Sequence, residues 1–117
     1  MGTSANIIVE REDGVWESVT VNYDGYPSHT LNILENHYND LSKVNALIAL
    51  GNMSQIQKSI ERPEGHTWSD PAEGCSVFYG RDRGEPEMES YKSGDLDDHH
   101  WESHAYMFTL DDEWVAL

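Results

Sequence analysis

The 117-residue sequence predicts an α+β fold, with an antiparallel sheet of about four to five strands and two helices packed on one face. Three observations point to this class. An Asp-Gly turn joins two β-rich segments near the N-terminus, two helical segments follow, and alternating apolar residues return near the C-terminus. Because a chain of this length usually builds a single hydrophobic core, we expect one α+β domain over residues 1–117.

The first two strands are predicted to form an N-terminal β-hairpin. Residues 6–10 contain three consecutive β-branched side chains, which favour a strand. The Asp13-Gly14 pair favours a tight turn, and residues 15–23 alternate as the partner strand.

Two helices are predicted after a bend at residues 24–28. Ser28 is a candidate N-cap for a helix over residues 29–38, whose apolar side chains recur at helical spacing. A second helix over residues 43–50 is capped by Ser42 or Asp40 and ends at Gly51. We expect an αα-hairpin after the ββ-hairpin.

The remaining strands are predicted in the second half of the chain. Residues 76–79 form a short strand before a glycine-bracketed turn at 80–84, and the polar segment 85–98 contains an edge strand. Alternation over residues 104–110, followed by a turn and residues 114–117, indicates the last two strands.

The net charge of −15 arises from 22 acidic and 7 basic residues and limits the kinds of partner. Contacts to phosphate come from Lys and Arg, so we expect neither direct nucleic-acid binding nor membrane binding. An acidic surface instead attracts basic protein surfaces. The sequence leaves a homodimer open.

The acidity is concentrated in the last third of the chain, where residues 85–117 carry ten acidic residues against Lys92 alone. Acids spaced in this way can imitate the phosphates of a nucleic acid and occupy the groove of a basic nucleic-acid-binding protein. Solubility alone is the alternative explanation. The interspersed Tyr91, Trp101, Tyr106 and Trp114 are either interface anchors or core residues. The residues expected to bind the partner are Asp95, Asp97, Asp98, Glu102, Asp111 and Asp112.

Two loops form an alternative candidate site, for a nucleotide or phosphate. In the bend, Asp24 and His29 are an acid/base or orienting pair and Tyr26 can stack on a base. In the turn, Arg81 and Arg83 can hold a phosphate through their guanidinium groups. Each loop also has a structural interpretation. Asp24 can cap backbone amides, and the arginines can pair with the nearby acids Asp82, Glu85 and Glu87.

The histidines near the C-terminus are the remaining candidates for chemistry. His100 and His104 have the spacing of helical metal ligands and His99 adjoins them, but the segment matches no zinc signature. We interpret it as a solvated polar run, and we expect no metal and no cofactor. The single cysteine, Cys75, has no basic neighbour in sequence to activate it.

The order of motifs resembles a family of small proteins from bacteriophages and prophages. The matching segments are Tyr23-Asp24-Gly25-Tyr26-Pro27, Leu47-Ile48-Ala49-Leu50-Gly51 and Tyr79-Gly80-Arg81-Asp82-Arg83-Gly84-Glu85, together with Ser4-Ala5-Asn6-Ile7 and the Trp114 ending. The resemblance covers most of the chain. It implies a phage-encoded accessory protein that works in the cytoplasm of the bacterial host.

Two functions from different classes follow from these features. The leading hypothesis is a non-enzymatic inhibitor of a host defence or nucleic-acid-binding machine, of the anti-CRISPR or anti-restriction type. The alternative is a nucleotide- or phosphate-binding protein, or an enzyme, that uses the two loops. Convergence of the arginines with Tyr26 or His29 in one pocket would favour the alternative. Arginines held in ion pairs and acids on one face would favour the inhibitor.

Overall fold

The computed structural model describes residues 3–117 and confirms the α+β class. The N-terminal hairpin pairs β1 (Ala5–Glu10) with β2 (Trp16–Val21) in antiparallel register, with Ile7 opposite Val19. Gly14 has a φ of +82°, a left-handed conformation that glycine adopts without steric cost. The Asp13-Gly14 turn therefore fixes the hairpin register.

Two helices follow the hairpin and pack on one face of the sheet. A single π-helical turn (Pro27–Leu31) leads into α1 (Asn32–His37), and α2 (Leu41–Ala49) follows. Asp40 caps α2, because its Oδ1 accepts a hydrogen bond from the amide of Lys43 at 2.9 Å. The apolar sides of both helices pack against the side chains that alternate on one face of the central strands. The buried cluster includes Leu34, Tyr38, Val44, Leu47, Ile48, Ile7, Val9, Val19, Val21, Tyr106 and Phe108.

Five shorter strands complete the sheet. They are β3 (Met53–Gln55), β4 (Val77–Phe78), β5 (Tyr91–Ser93), β6 (His104–Phe108) and β7 (Trp114–Ala116), with α3 (Tyr79–Arg83) after β4 and a 3₁₀ helix (Leu96–His99) after β5. The strand order is β4-β3-β2-β1-β6-β7, and β5 also pairs with β2. The arginine-containing turn predicted at 80–84 is thus a one-turn helix that ends at Gly84.

The predicted antiparallel sheet of four to five strands is wrong, because the described residues form a mixed sheet of seven strands. β1 is parallel to β6, and β2 is parallel to β3. The two helices form the crossover that lets β3 return in the same direction as β2, as parallel neighbours require. The strand at Met53–Gln55 is not among the predicted strands.

The second face of the sheet is covered by the segment 94–102 and not by a long helix. This segment begins beside the hairpin turn, where a Cβ built on Gly94 would lie 3.9 Å from the carbonyl oxygen of Gly14. It continues through His99, whose Nδ1 lies 2.6 Å from the hydroxyl of Ser18, and ends where Asn6 Oδ1 accepts the amide of Glu102 at 3.0 Å. The segment therefore crosses the sheet from one end to the other.

Within residues 3–117, no helix is long and apolar enough to cross a membrane, since the longest, α2, has nine residues.

Candidate functional site

Three acidic segments lie at the same end of the sheet, which we call the acidic end: residues 10–17, 92–98 and 109–113. Because β1 and β6 are parallel, the turn after each of them emerges at this end. β5 pairs with the start of β2, with Trp16 opposite Ser93, so the acids that follow β5 join them. Strand pairing thus brings together carboxylates that are up to 103 residues apart in sequence, Glu10 and Glu113.

The three segments of the acidic end contain twenty residues in total, of which ten are acidic and only two, Arg11 and Lys92, are basic. Its net charge of −8 is more than half of the −15 of the whole chain. Most of its carboxylates are exposed. The charge is therefore presented to solvent at one place. The acidic residues are Glu10, Glu12, Asp13, Glu17, Asp95, Asp97, Asp98, Asp111, Asp112 and Glu113.

A groove of about 510 Å³ runs between the hairpin turn, the β6–β7 turn and the start of α2. Acidic side chains from both turns line it, together with the exposed apolar side chains of Leu41 and Leu110. Glu10 joins the two turns, because its Oε1 accepts the amide of Leu110 at 3.0 Å. The groove therefore combines negative charge with exposed apolar surface.

Internal contacts hold one of the two basic side chains of the acidic end. Arg11 forms a salt bridge to Glu17 at 2.9 Å and donates to Oδ1 of Asn45 at 2.5 Å. Burial raises the pKa of Glu17, but a hydrogen bond from Ser90 and the charges of Arg11 and Lys92 outweigh it, so the pKa lies below its ordinary value. Glu17 stays ionised and holds Arg11, which leaves the other carboxylates at this end to face solvent.

Five of the six predicted partner-binding acids lie at the acidic end: Asp95, Asp97, Asp98, Asp111 and Asp112. Asp95 also caps the 3₁₀ helix through the amide of Asp97, and Asp98 accepts the hydroxyl of Ser93 at 2.5 Å. Glu102 lies apart from them, at the opposite end of the sheet beside Asn6. Sequence reasoning missed Glu10, Glu12 and Asp13, which the β1–β6 pairing brings to this end.

The two arginines of the candidate ligand site contact this chain's own groups. Arg81 donates through Nε to Asp82 at 3.0 Å, through Nη2 to the carbonyl of Ser76 at 3.2 Å, and through Nη1 to the carbonyl of Ile60. Arg83 lies over the ring of Trp68 at 4.9 Å and near Glu85, with 3.8 Å between Nε and Oε2. These contacts match the structural interpretation, in which the arginines pair with local groups.

The predicted ligand residues of the bend also make internal contacts. The carbonyl of Asp24 accepts the hydroxyl of Thr30 at 2.7 Å, and Asp24 Oδ1 accepts the hydroxyl of Tyr26 at 3.2 Å. His29 Nε2 lies 3.1 Å from the carbonyl oxygen of Ile56. Asp24 has a φ of +57°, as expected for a tight turn. The bend anchors the π-helical turn to the sheet.

The histidines do not converge. His99 is fully buried between Ser18 and Ser93, His100 is exposed, and His104 stacks on Tyr106 in β6. Within residues 3–117, no group of three or more His, Cys, Asp or Glu side chains has the arrangement of a metal site.

No protein-family model, curated protein or solved structure matches this chain. The phage origin therefore stays a prediction that depends on the sequence motifs. In the fold, the segment 47–51 is the end of α2 with its terminating Gly51, and the segment 79–85 is α3 with Glu85 after it.

Proposed function

We propose that the acidic end binds the basic groove of a nucleic-acid-binding protein and blocks it. In this proposal the chain is a phage-encoded accessory protein that inhibits a host defence or nucleic-acid-binding machine, of the anti-CRISPR or anti-restriction type, in the bacterial cytoplasm. Its role is binding and not catalysis.

The observation that carries the proposal is the shared position of the three acidic segments, with ten acidic and two basic residues at one end of the sheet. A field of one sign attracts a basic surface over several ångströms and accelerates its encounter. Nucleic-acid-binding grooves are lined by Lys and Arg placed to meet phosphates. Because the carboxylates of the acidic end come from three separate segments, their negative charges are spread over a surface that can face the Lys and Arg side chains of such a groove.

The exposed leucines support a specific contact over one that rests on charge alone. Leu41 and Leu110 are 44% and 54% exposed, and both line the groove between the acids. Lys and Arg carry long apolar stems beneath their charged groups, and these stems pack on apolar surface. The groove can therefore take the stems while the carboxylates take the charges.

The ligand-binding alternative has less support, because the guanidinium groups it needs are engaged by Asp82, Trp68 and backbone carbonyls. A phosphate would have to displace these contacts, and it would approach a chain of net charge −15.

The test compares two fourfold charge reversals that change the net charge equally. The first replaces Glu12, Asp97, Asp111 and Glu113 with Lys, all exposed at the acidic end. The control replaces Glu61, Glu64, Asp70 and Glu73 with Lys, all exposed in the loop between β3 and β4. Each protein is used to capture partners from phage-infected bacterial cells, with and without a high-salt wash. The Kd for the captured protein and its competition with nucleic acid are then measured.

We expect the acidic-end variant to bind roughly 100-fold more weakly, since each reversal turns an attraction into a repulsion. The control should keep the affinity of the wild type, its salt sensitivity and its competition with nucleic acid. The proposal would be contradicted if both variants bound the captured protein with the same Kd. It would also be contradicted if the wild-type chain did not compete with nucleic acid for that protein.

A further inference from the structure

A second cleft, of about 490 Å³, opens on the sheet face opposite α1 and α2, at the end away from the acidic end. It lies between the end of β2, the start of α3 and the segment that follows the 3₁₀ helix. Its volume is typical of small-ligand sites. The residues that line it include Asn22, Asn52, Tyr79, Glu85, Trp101 and Glu102.

The charge of the cleft selects for a cation. Glu85 and Glu102 line it, and none of the described lining residues is basic. Oε2 of Glu85 is shielded from solvent, and the nearest cation, Arg83 Nε, lies 3.8 Å away, a contact longer than a hydrogen bond. The carboxylates of Glu85 and Glu102 attract a ligand that brings positive charge and N–H donors, whereas an anion would be repelled.

An exposed aromatic ring completes the cation site. Trp101 is 52% exposed, and Tyr91 packs edge-on against it, with 6.1 Å between ring centroids and 83° between ring planes. Asn6 fixes the backbone beneath the ring, because its Oδ1 accepts the amides of both Trp101 and Glu102 at 3.0 Å. A tryptophan face beside carboxylates attracts delocalised cations.

The floor and wall of the cleft are held in place before any ligand binds. Asn22 Nδ2 donates to the hydroxyl of Tyr79 at 2.5 Å, and Asn52 Oδ1 accepts the amide of Thr20 at 2.9 Å. The amide of Asn52 donates to the carbonyl of Met88 at 2.7 Å, which fixes the loop that carries Glu85. A preformed site loses less entropy on binding.

We propose that this cleft binds a guanidinium group. A guanidinium is planar, delocalised and always charged, so it can lie on Trp101 and donate to Glu85 and Glu102 at the same time. An ammonium group is a compact, strongly hydrated charge and fits this arrangement less well. The group belongs either to an arginine side chain of a protein or to a small guanidine compound. The proposal goes beyond the blocking function of the acidic end and involves different residues.

The test is an NMR titration of the ¹⁵N-labelled full chain with blocked single amino acids, N-acetyl-arginine amide, N-acetyl-lysine amide and N-acetyl-citrulline amide. Citrulline has the shape of arginine without its charge. We expect the arginine compound to shift the indole signal of Trp101 and the side-chain amides of Asn22 and Asn52. It should bind at least about fivefold more tightly than the lysine compound, and the citrulline compound should not bind.

Glu102→Gln and Glu85→Gln should each weaken arginine binding at least about fivefold, whereas Glu64→Gln, which removes the same charge from the exposed loop between β3 and β4, should not. Trp101→Leu should remove the preference for arginine over lysine. Wild-type signal dispersion establishes that each variant is folded.

Agmatine and a Gly/Ser peptide with one arginine distinguish the two sources of the guanidinium group. Tighter binding of the peptide indicates a protein partner, and tighter binding of agmatine indicates a small compound. Equal binding of arginine and lysine compounds, or shifts centred on residues 10–17, would overturn the proposal.

Discussion

His66 Nε2 lies 3.4 Å from Oδ2 of Asp82, and neither side chain is accessible to solvent. The Nδ1 of His66 accepts the amide of Ala72 at 2.9 Å, so a neutral ring carries its proton on Nε2, facing the carboxylate. Asp82 also accepts the amide of Phe78 at 2.8 Å and Nε of Arg81 at 3.0 Å. This buried carboxylate therefore joins α3 to the long loop between β3 and β4.

Replacement of Asp82 with Asn should lower the free energy of unfolding by about 2–4 kcal/mol, because it removes the buried negative charge that faces Arg81 and His66 and puts an NH2 donor in place of one acceptor oxygen. Urea unfolding followed by tryptophan fluorescence measures this. Asp70→Asn, in the same loop but exposed, should change stability by less than about 0.5 kcal/mol. Equal effects of the two substitutions would show that the buried network contributes nothing.

The same variant makes a prediction about pH. Burial raises the pKa of Asp82, but hydrogen bonds from Arg81 and Phe78, the charge of Arg81 and the contact with His66 outweigh it and lower the pKa below 3.8. A depressed pKa stabilises the folded protein above the unfolded-state pKa, and this stability is lost as the pH falls through the folded-state pKa. The difference between wild type and Asp82→Asn should be constant above about pH 5 and shrink below pH 3.8.

The parts of the fold set by local sequence could be predicted. The hairpin around Asp13-Gly14 and the helix that ends at Gly51 depend on turn chemistry and apolar periodicity over a few residues. The parallel pairings could not, because the β1–β6 contact joins residues about a hundred positions apart and no local signal encodes it. The strand at Met53–Gln55 is too short for its alternation to be read.

The candidate site was predictable to a similar extent. The acids after Gly84 are evident from charge counts, and most of them do share a surface. Strand direction and register bring Glu12 and Asp13 to the acidic end and place Glu102 away from it. A count of acidic residues along the sequence holds no information about either. The cleft with Trp101 joins the end of β2, α3 and residues 101–102, so only the folded chain reveals it.

Gly51 and Gly84 offer a matched pair for a third prediction, since both have left-handed backbones with φ of +84° and +74°. A Cβ on Gly51 would lie 2.2 Å from the carbonyl oxygen of Met88, whereas a Cβ on Gly84 would have nothing within 4 Å. Gly84→Ala should cost about 1 kcal/mol, the penalty for the left-handed backbone alone.

Gly51→Ala should cost at least about 2 kcal/mol more, because it also forces the loop at Met88 away from Asn52. Chemical denaturation of both variants provides the comparison. In the NMR spectrum, Gly51→Ala should shift the side-chain amide of Asn52, and Gly84→Ala should not. Similar losses of stability in the two variants would mean that the loop does not pack tightly on Gly51.

Tyr106 provides the fourth prediction, because its buried hydroxyl donates to the carbonyl of Gly25 at 2.6 Å and ties the bend to β6. Tyr106→Phe should lower the free energy of unfolding by about 1–3 kcal/mol, since the carbonyl loses a buried partner. Tyr23→Phe, at an exposed tyrosine, is the control and should have little effect.

Burial also raises the pKa of Tyr106 to about 12, from an ordinary value of 10.0. The unfolded chain therefore ionises first as the pH rises, and the stability that the neutral hydroxyl contributes is present below pH 10 and is lost between pH 10 and 12. Because the other tyrosines are common to both proteins, the stability difference between wild type and Tyr106→Phe should be flat below pH 10 and narrow across that window. Unfolding curves at closely spaced alkaline pH values measure it. A difference that stayed constant to pH 12 would place the phenol in contact with water and contradict the buried hydrogen bond.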